Sequence, residues 1–214
     1  MRVVVYSYTS PGYDNKIDDG RLYLTLPKEI CKRFNNTRMP ARIAKALPHI
    51  FLDTKNADAC LWLDSNIQFR EGYNSDMLIK EYFEKTEHCG VFAHTERTTI
   101  DQEIAAINTK KLDHPSLTSQ HFRRIGKLAW TGILYRTFTP EVIRANNMWW
   151  AEISTKSSRD QLSFPYSFDN LIDYKDNPDL ETLGKQCWSS NSKWYRTRHK
   201  LIPTFRRMIK KINF

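Results

Sequence analysis

The chain has 214 residues, of which 40% are hydrophobic and 13% aromatic, enough to bury one substantial core and short for two domains. Its formal charge of +9 sits at one end: from Lys193 onward there are eight Lys or Arg residues and no Asp or Glu, which leaves residues 1–192 at +1. No apolar run approaches the roughly eighteen residues of a membrane span, and Val3-Val4-Val5-Tyr6 behind Arg2 is too short for a secretory signal.

A cytoplasmic chain is therefore expected, with one domain over residues 1–192 and a basic, helical segment over 193–214. That segment suits a solvated terminal helix, peripheral contact with an anionic membrane, contact with nucleic acid, or a lead into a further domain. Because the body is nearly neutral, nucleic acid is not expected as the main partner. Cys31, Cys60, Cys89 and Cys187 form no CxxC pair and read as reduced, mostly buried thiols.

Arg2 to Tyr8 has the β-branched and aromatic character of a buried first strand, ended by Ser10-Pro11-Gly12. Pro40 can open a short helix that Pro48 closes, with Arg42, Lys45 and His49 on one stripe and Ile43, Leu47 and Ile50 on a core stripe. Ala59 to Leu63 reads as a second buried strand, Asp76 to Lys85 as an amphipathic helix, and Gly90 to Ala93 as a third strand. A helix over Thr99 to Thr109, a strand over Lys127 to Tyr135, a helix from Pro140 through Trp149-Trp150 and a short helix from Ser158 complete the pattern. Strands alternating with helices predict an α/β fold whose mostly parallel sheet is covered on both faces.

In such sheets ligands gather beyond the carboxyl ends of the strands. Tyr6, Ser7 and Tyr8 occupy that position after the first strand, Asp64, Ser65 and Asn66 after the second, and His94, Glu96 and Arg97 after the third. Asp64 directly follows apolar residues, where a carboxylate is costly unless it meets a cation or several donors. With Asn66 two residues on, it can offer oxygen ligands to a hard divalent ion; the alternative is an Asx-turn. Arg42 and Lys45 can serve phosphates or simply form a solvated helix face.

Trp149-Trp150-x-Glu152 can stack on sugars and supply a carboxylate, while Arg159-Asp160-Gln161 offers a second acid. Ser158 with Gln161 equally fits a capping box, and Asp160 suits a helix N-terminus, so a structural use stays open. The chain contains no GxxxxGK, GxGxxG, HExxH or GxSxG pattern.

Taken in order, Arg42-x-x-Lys45-x-x-Pro48-His49, Leu61-Trp62-Leu63-Asp64-Ser65-Asn66, His94-x-Glu96-Arg97, Trp149-Trp150-x-Glu152 and Arg159-Asp160-Gln161-Leu162-Ser163-Phe164 resemble a glycosyltransferase domain family first catalogued as a domain of unknown function. Its members occur in plant wall and mucilage glycosylation, bacterial polysaccharide clusters and large algal viruses. The resemblance spans roughly residues 1 to 170.

It implies a GT-A fold, a nucleotide-diphosphate sugar donor with UDP favoured, and manganese or magnesium held by Asp64 and Asn66. It also implies that Arg42 and Lys45 lie near the donor's phosphates or base, and Arg159, Asp160 and Gln161 near the transferred sugar. Many GT-A enzymes carry a second aspartate where this chain has Asn66, so one fewer charge holds the ion.

The expected activity is transfer of a hexose or deoxyhexose to a carbohydrate hydroxyl in glycan synthesis, with Asp160 or Glu152 available as a base. A metal-dependent nuclease or phosphoesterase and a non-catalytic carbohydrate-binding module are the rival readings.

Overall fold

The computed structural model describes residues 1–10, 16–34, 38–69, 71–115 and 127–175, together with the backbone of 188–190. The basic segment over 193–214 and Cys187 lie outside the described residues. Six strands form the central sheet: β1 (Val3–Tyr8), β2 (Leu22–Leu24), β3 (Ala59–Leu63), β5 (Cys89–Ala93), β6 (Ala129–Thr137) and β7 (Ile172–Lys175). Their spatial order is β2-β1-β3-β6-β5-β7, and β4 (Ile67–Phe69) pairs apart from them with β8 (Trp188–Ser190). The β1–β2, β1–β3 and β5–β7 pairs are parallel, whereas β6 runs antiparallel to both β3 and β5. The expected mostly parallel sheet is present, with β6 as its reversed strand.

The helices are α1 (Lys28–Lys32), α2 (Met39–Ala46), α3 (Pro48–Phe51), α4 (Ser75–Leu78), α5 (Ile100–Lys110), α6 (Pro140–Thr155) and α7 (Asp160–Phe168). Pro48 starts a further helical turn rather than ending the helical region, since proline fits the first position of a helix. Ile50, expected in the core, is 61% exposed at the far end of that turn. The helix expected over 76–85 begins α-helical behind an Asn74 cap and then widens into a π-turn over Ile79–Phe83. Thr99 and Gln102 form a reciprocal capping box on α5, and Thr139 caps α6 ahead of Pro140. Among the described residues no helix is long and apolar enough to cross a membrane.

The two-residue alternation of the strands divides the core between the two faces of the sheet. On one face Tyr6, Cys60, Trp62, Val91 and Leu134 meet Trp149, Phe164 and Phe168 from α6 and α7. On the other, Leu61, Leu63, Ile133, Tyr135 and Phe92 meet Leu78 and Phe83. Gly90 lets Phe83 approach: a Cβ built there would lie 2.5 Å from the Phe83 Cδ1 atom, and the Phe83 ring stacks on Tyr135 with centroids 5.5 Å apart. Gly90→Ala is therefore expected to destabilise the fold by about 1–3 kcal/mol through overpacking, measurable as a lower denaturant midpoint at unchanged slope.

One irregularity matters for the site. Val91 pairs with Leu134 but the next residue, Phe92, pairs with Trp130, so β6 carries extra residues opposite that step. The bulge breaks simple alternation, and Thr131 is buried against the side chains of α2 and α7.

Candidate active site

The carboxyl ends of β1 and β3 open into a cleft of about 360 Å³. Its polar lining comes from Tyr8 at the end of β1 with Thr9 and Ser10 beyond it, Arg38 at the N-cap of α2 and Arg42 within that helix, and Asp64, Ser65 and Asn66 after β3. Asp64 and Asn66 belong to one tight turn: the Asp64 amide donates to the Gly132 carbonyl at 2.8 Å and the Ile67 amide donates back to the Asp64 carbonyl at 2.9 Å. The sequence-based grouping of Tyr8, Arg42, Asp64, Ser65 and Asn66 is thus brought together around one space. Arg38 joins them by lying one helical turn before Arg42.

Beneath the cleft lies a buried charge cluster. Asp160 Oδ2 accepts from Arg42 Nη1 at 2.7 Å, Lys45 Nζ at 2.8 Å and Thr131 Oγ1 at 2.9 Å. The Lys45 ammonium is also 3.4 Å from Asp64 Oδ1 and 5.5 Å from the centre of the Trp62 ring. The Trp62 indole N–H donates to the same Asp64 Oδ1 at 2.7 Å. Burial alone would raise the Asp160 pKa, but Arg42 and Lys45 beside it prevail and hold the carboxyl well below the ordinary carboxylate range. Arg42 and Lys45 therefore form no solvated stripe: the Lys45 side chain is 1% exposed and that of Arg42 17%.

Several expected site residues are used otherwise. Asp160 is buried with two cations on its Oδ2, which makes it a holder of cations and a poor proton acceptor at neutral pH. Tyr6 is buried under the cleft: its hydroxyl donates to the Lys45 carbonyl at 3.3 Å and accepts from Arg136 at 2.8 Å. Burial pushes that phenol well above its ordinary pKa despite the guanidinium beside it. Ser7 is also fully buried and does not line the cleft.

Gln161 donates its amide to the Ala129 carbonyl at 3.2 Å, and Ser158 bonds the Asp113 carboxylate, so the two form no capping box. Glu152 pairs with Lys156 one helical turn on, at 2.7 Å, and is not among the cleft residues. Trp149 is buried, donates to the Asp160 carbonyl at 3.0 Å and meets Phe164 edge-on, while Trp150 packs edge-on against Phe34. The Trp149 surface is thus spent in the core, whereas Trp150 is half-buried against it.

Arg159 pairs with the buried Glu103 at 3.2 Å, and Arg97 pairs with the same carboxylate. Arg97 also contacts His94, whose pKa is lowered by burial first and by Arg97 second. These residues brace the loop after β5 against α5 and α7. His49 is likewise shifted downward, chiefly by burial.

Sequence reasoning missed Arg38, Thr131 and, deepest of all, Arg136. It is fully buried, donating to Asn146 Oδ1 at 2.6 Å, to the Tyr6 hydroxyl at 2.8 Å and to the Lys45 carbonyl at 2.7 Å, with its guanidinium over Trp149. A cation at the last turn of α2 also suits the negative end of that helix. It fixes the turn that carries Lys45.

The divalent ion implied by the aspartate motif can be tested against these residues. The described contacts of the Asp64 carboxylate all fall on Oδ1, its side chain is 40% exposed, and Asn66 lines the same cleft. Two oxygen donors on one turn suit a hard cation as part of a shell, and no group of three metal-ligating side chains occurs among the described residues. The fit is to a partial shell that a diphosphate and water would complete. Charge leaves room for it: Asp64 and Asp160 offset two of the three cations Arg38, Arg42 and Lys45, so the residual positive charge is smaller than the negative charge of a diphosphate.

Comparison with known proteins agrees with this architecture. The structure resembles a crystal structure of a glycosyltransferase involved in glycosylation of the major capsid of PBCV-1, with 9% sequence identity over 92% of this chain and 96% of that one, at a TM-score of 0.58. A looser likeness, to A197 from STIV, has 14% identity over 77% of this chain and 76% of that one, at a TM-score of 0.36. No curated protein matches the chain in sequence. The expected GT-A type fold is the one observed. Residues 28–188 match the sequence model of the TOD1/MUCI70 glycosyltransferase-like domain, and the chain belongs to that family.

Proposed function

We propose that the protein transfers a hexose or deoxyhexose from a nucleotide-diphosphate sugar, with UDP favoured as the carrier, to a hydroxyl of a carbohydrate acceptor. The main support is the convergence of Asp64, Asn66, Arg38 and Arg42 on one cleft at the carboxyl edge of a sheet in a glycosyltransferase-like domain. In such a transfer the bond from the anomeric carbon to the diphosphate oxygen breaks, the acceptor oxygen takes its place, and the acceptor's proton is given up. The charge that grows is on the leaving diphosphate, so stabilisation there lowers the barrier most.

Asp64 and Asn66 are the residues that would hold manganese or magnesium, which when bound supplies Lewis-acid neutralisation of the diphosphate. Arg42, at the cleft surface, supplies forked donors suited to phosphate oxygens, and Lys45 supplies a point charge from below. Tyr8, Thr9 and Ser10 line the part of the cleft nearest β1, where the nucleoside is accommodated.

The test is a thermal-shift titration with nucleoside diphosphates and nucleotide sugars, each with and without manganese. One nucleotide family at about a hundredfold its dissociation constant is expected to add roughly 2.7 kcal/mol of stability, and only with the metal present. A shift from none of them would refute the donor-site reading.

A further inference from the structure

We propose that Asp160 acts as an internal competitor for the donor: its carboxylate occupies the two cations that the donor's diphosphate needs, so the site is latched until the phosphates displace it. The inference deepens the donor reading given above and rests on it.

The geometry is that of an occupied anion site. One carboxylate oxygen, Asp160 Oδ2, receives Arg42 at 2.7 Å, Lys45 at 2.8 Å and Thr131 at 2.9 Å. Two cationic donors and a hydroxyl converging on one oxygen are the partners a phosphate oxygen seeks. The two cations come from successive turns of α2, whereas Asp160 comes from α7, so the contact bridges elements that meet only through tertiary packing.

Lys45 is already divided between two acids, 2.8 Å from Asp160 and 3.4 Å from Asp64 at the cleft edge. A short movement of its ammonium toward the cleft exchanges one partner for the other. Arg42 lines the cleft itself, with a side chain 17% exposed against 2% for Asp160, so it can be met from the solvent side.

A closed latch lowers apparent donor affinity by the fraction of molecules in which the cations are free, and release of that competition tightens binding without any new contact. The alternative is that Asp160 positions Arg42 and Lys45 for the phosphates, in which case it helps the ligand.

The two accounts predict opposite signs for Asp160→Asn, which keeps the shape and removes the charge. Binding of inorganic diphosphate and of uridine diphosphate, each with manganese, is measured by calorimetry on the full chain. The latch predicts that both bind about tenfold more tightly in Asp160→Asn than in the wild type. Equal or weaker binding by the variant overturns it.

Thr131→Val, which removes the hydroxyl 3.2 Å from Lys45 and 2.9 Å from Asp160, serves if Asp160→Asn does not fold. The latch predicts a several-fold gain there, and a loss again overturns it. Wild-type binding without tightening in the variants sinks the latch alone, whereas binding by no form of the protein sinks the donor reading with it.

Discussion

Replacing Asp64 by alanine is expected to lower glycosyl transfer by on the order of 10²–10³-fold while leaving the fold nearly unchanged. The size follows from where the carboxylate stands. It is the acid of the cleft turn, adjacent to Asn66, and its loss removes the charged oxygen that would hold a cation against the departing diphosphate. The small effect on folding follows from exposure: the side chain is 40% exposed and, among the described residues, accepts from Trp62 and Lys45. Lys45 keeps Asp160 as its closer partner, so no buried charge is left alone. Transfer rates and the denaturant midpoint measured on the same preparation separate the two effects. A fall in activity that tracked a fall in stability would show Asp64 to be structural.

Arg136→Met is expected to do the reverse, costing about 3 kcal/mol or more of stability. The substitution nearly preserves volume but removes the donors to Asn146 Oδ1, the Tyr6 hydroxyl and the Lys45 carbonyl, of which, among the described residues, the carbonyl alone keeps a second donor, the Tyr6 hydroxyl at 3.3 Å. Each acceptor left unpaired costs about 1–3 kcal/mol, partly offset because a buried guanidinium no longer has to be desolvated. Equilibrium unfolding in urea measures the loss directly. A change under about 1 kcal/mol would mean that water or rearranged side chains replace the guanidinium.

How far the sequence discloses these roles depends on how local their causes are. Asp64 is legible because an unbroken apolar strand, Ala59 to Leu63, delivers an acid straight to a strand end, and the fold places ligands there. Tyr8, Ser65 and Asn66 follow from the same rule. The rule fails for Tyr6 and Ser7, which lie inside the strand, where burial pattern and not chain position decides the direction of the side chain.

Glu152 illustrates a local signal that reads two ways: an acid beside two tryptophans suggests a sugar site, yet Lys156 four residues later is its helical partner. Asp160 suits a helix N-terminus by sequence, but its partners on α2 are 118 and 115 positions away. Arg136 is the extreme case, an arginine in a strand whose partners include Tyr6, 130 positions distant, and a backbone carbonyl 91 positions distant. Periodicity carries no information about such contacts, and for Thr131 the three residues added by the β6 bulge remove even the face on which a strand residue would be counted.

The most direct test is the release of nucleoside diphosphate from a panel of nucleotide sugars by the wild-type protein, with and without manganese. Release from one nucleotide family, dependent on the metal and stimulated by a glycan acceptor, is the expected result. Failure to turn over or bind any nucleotide sugar, or turnover that Asp64→Ala leaves intact, would contradict the assignment of this cleft as a glycosyl-transfer site.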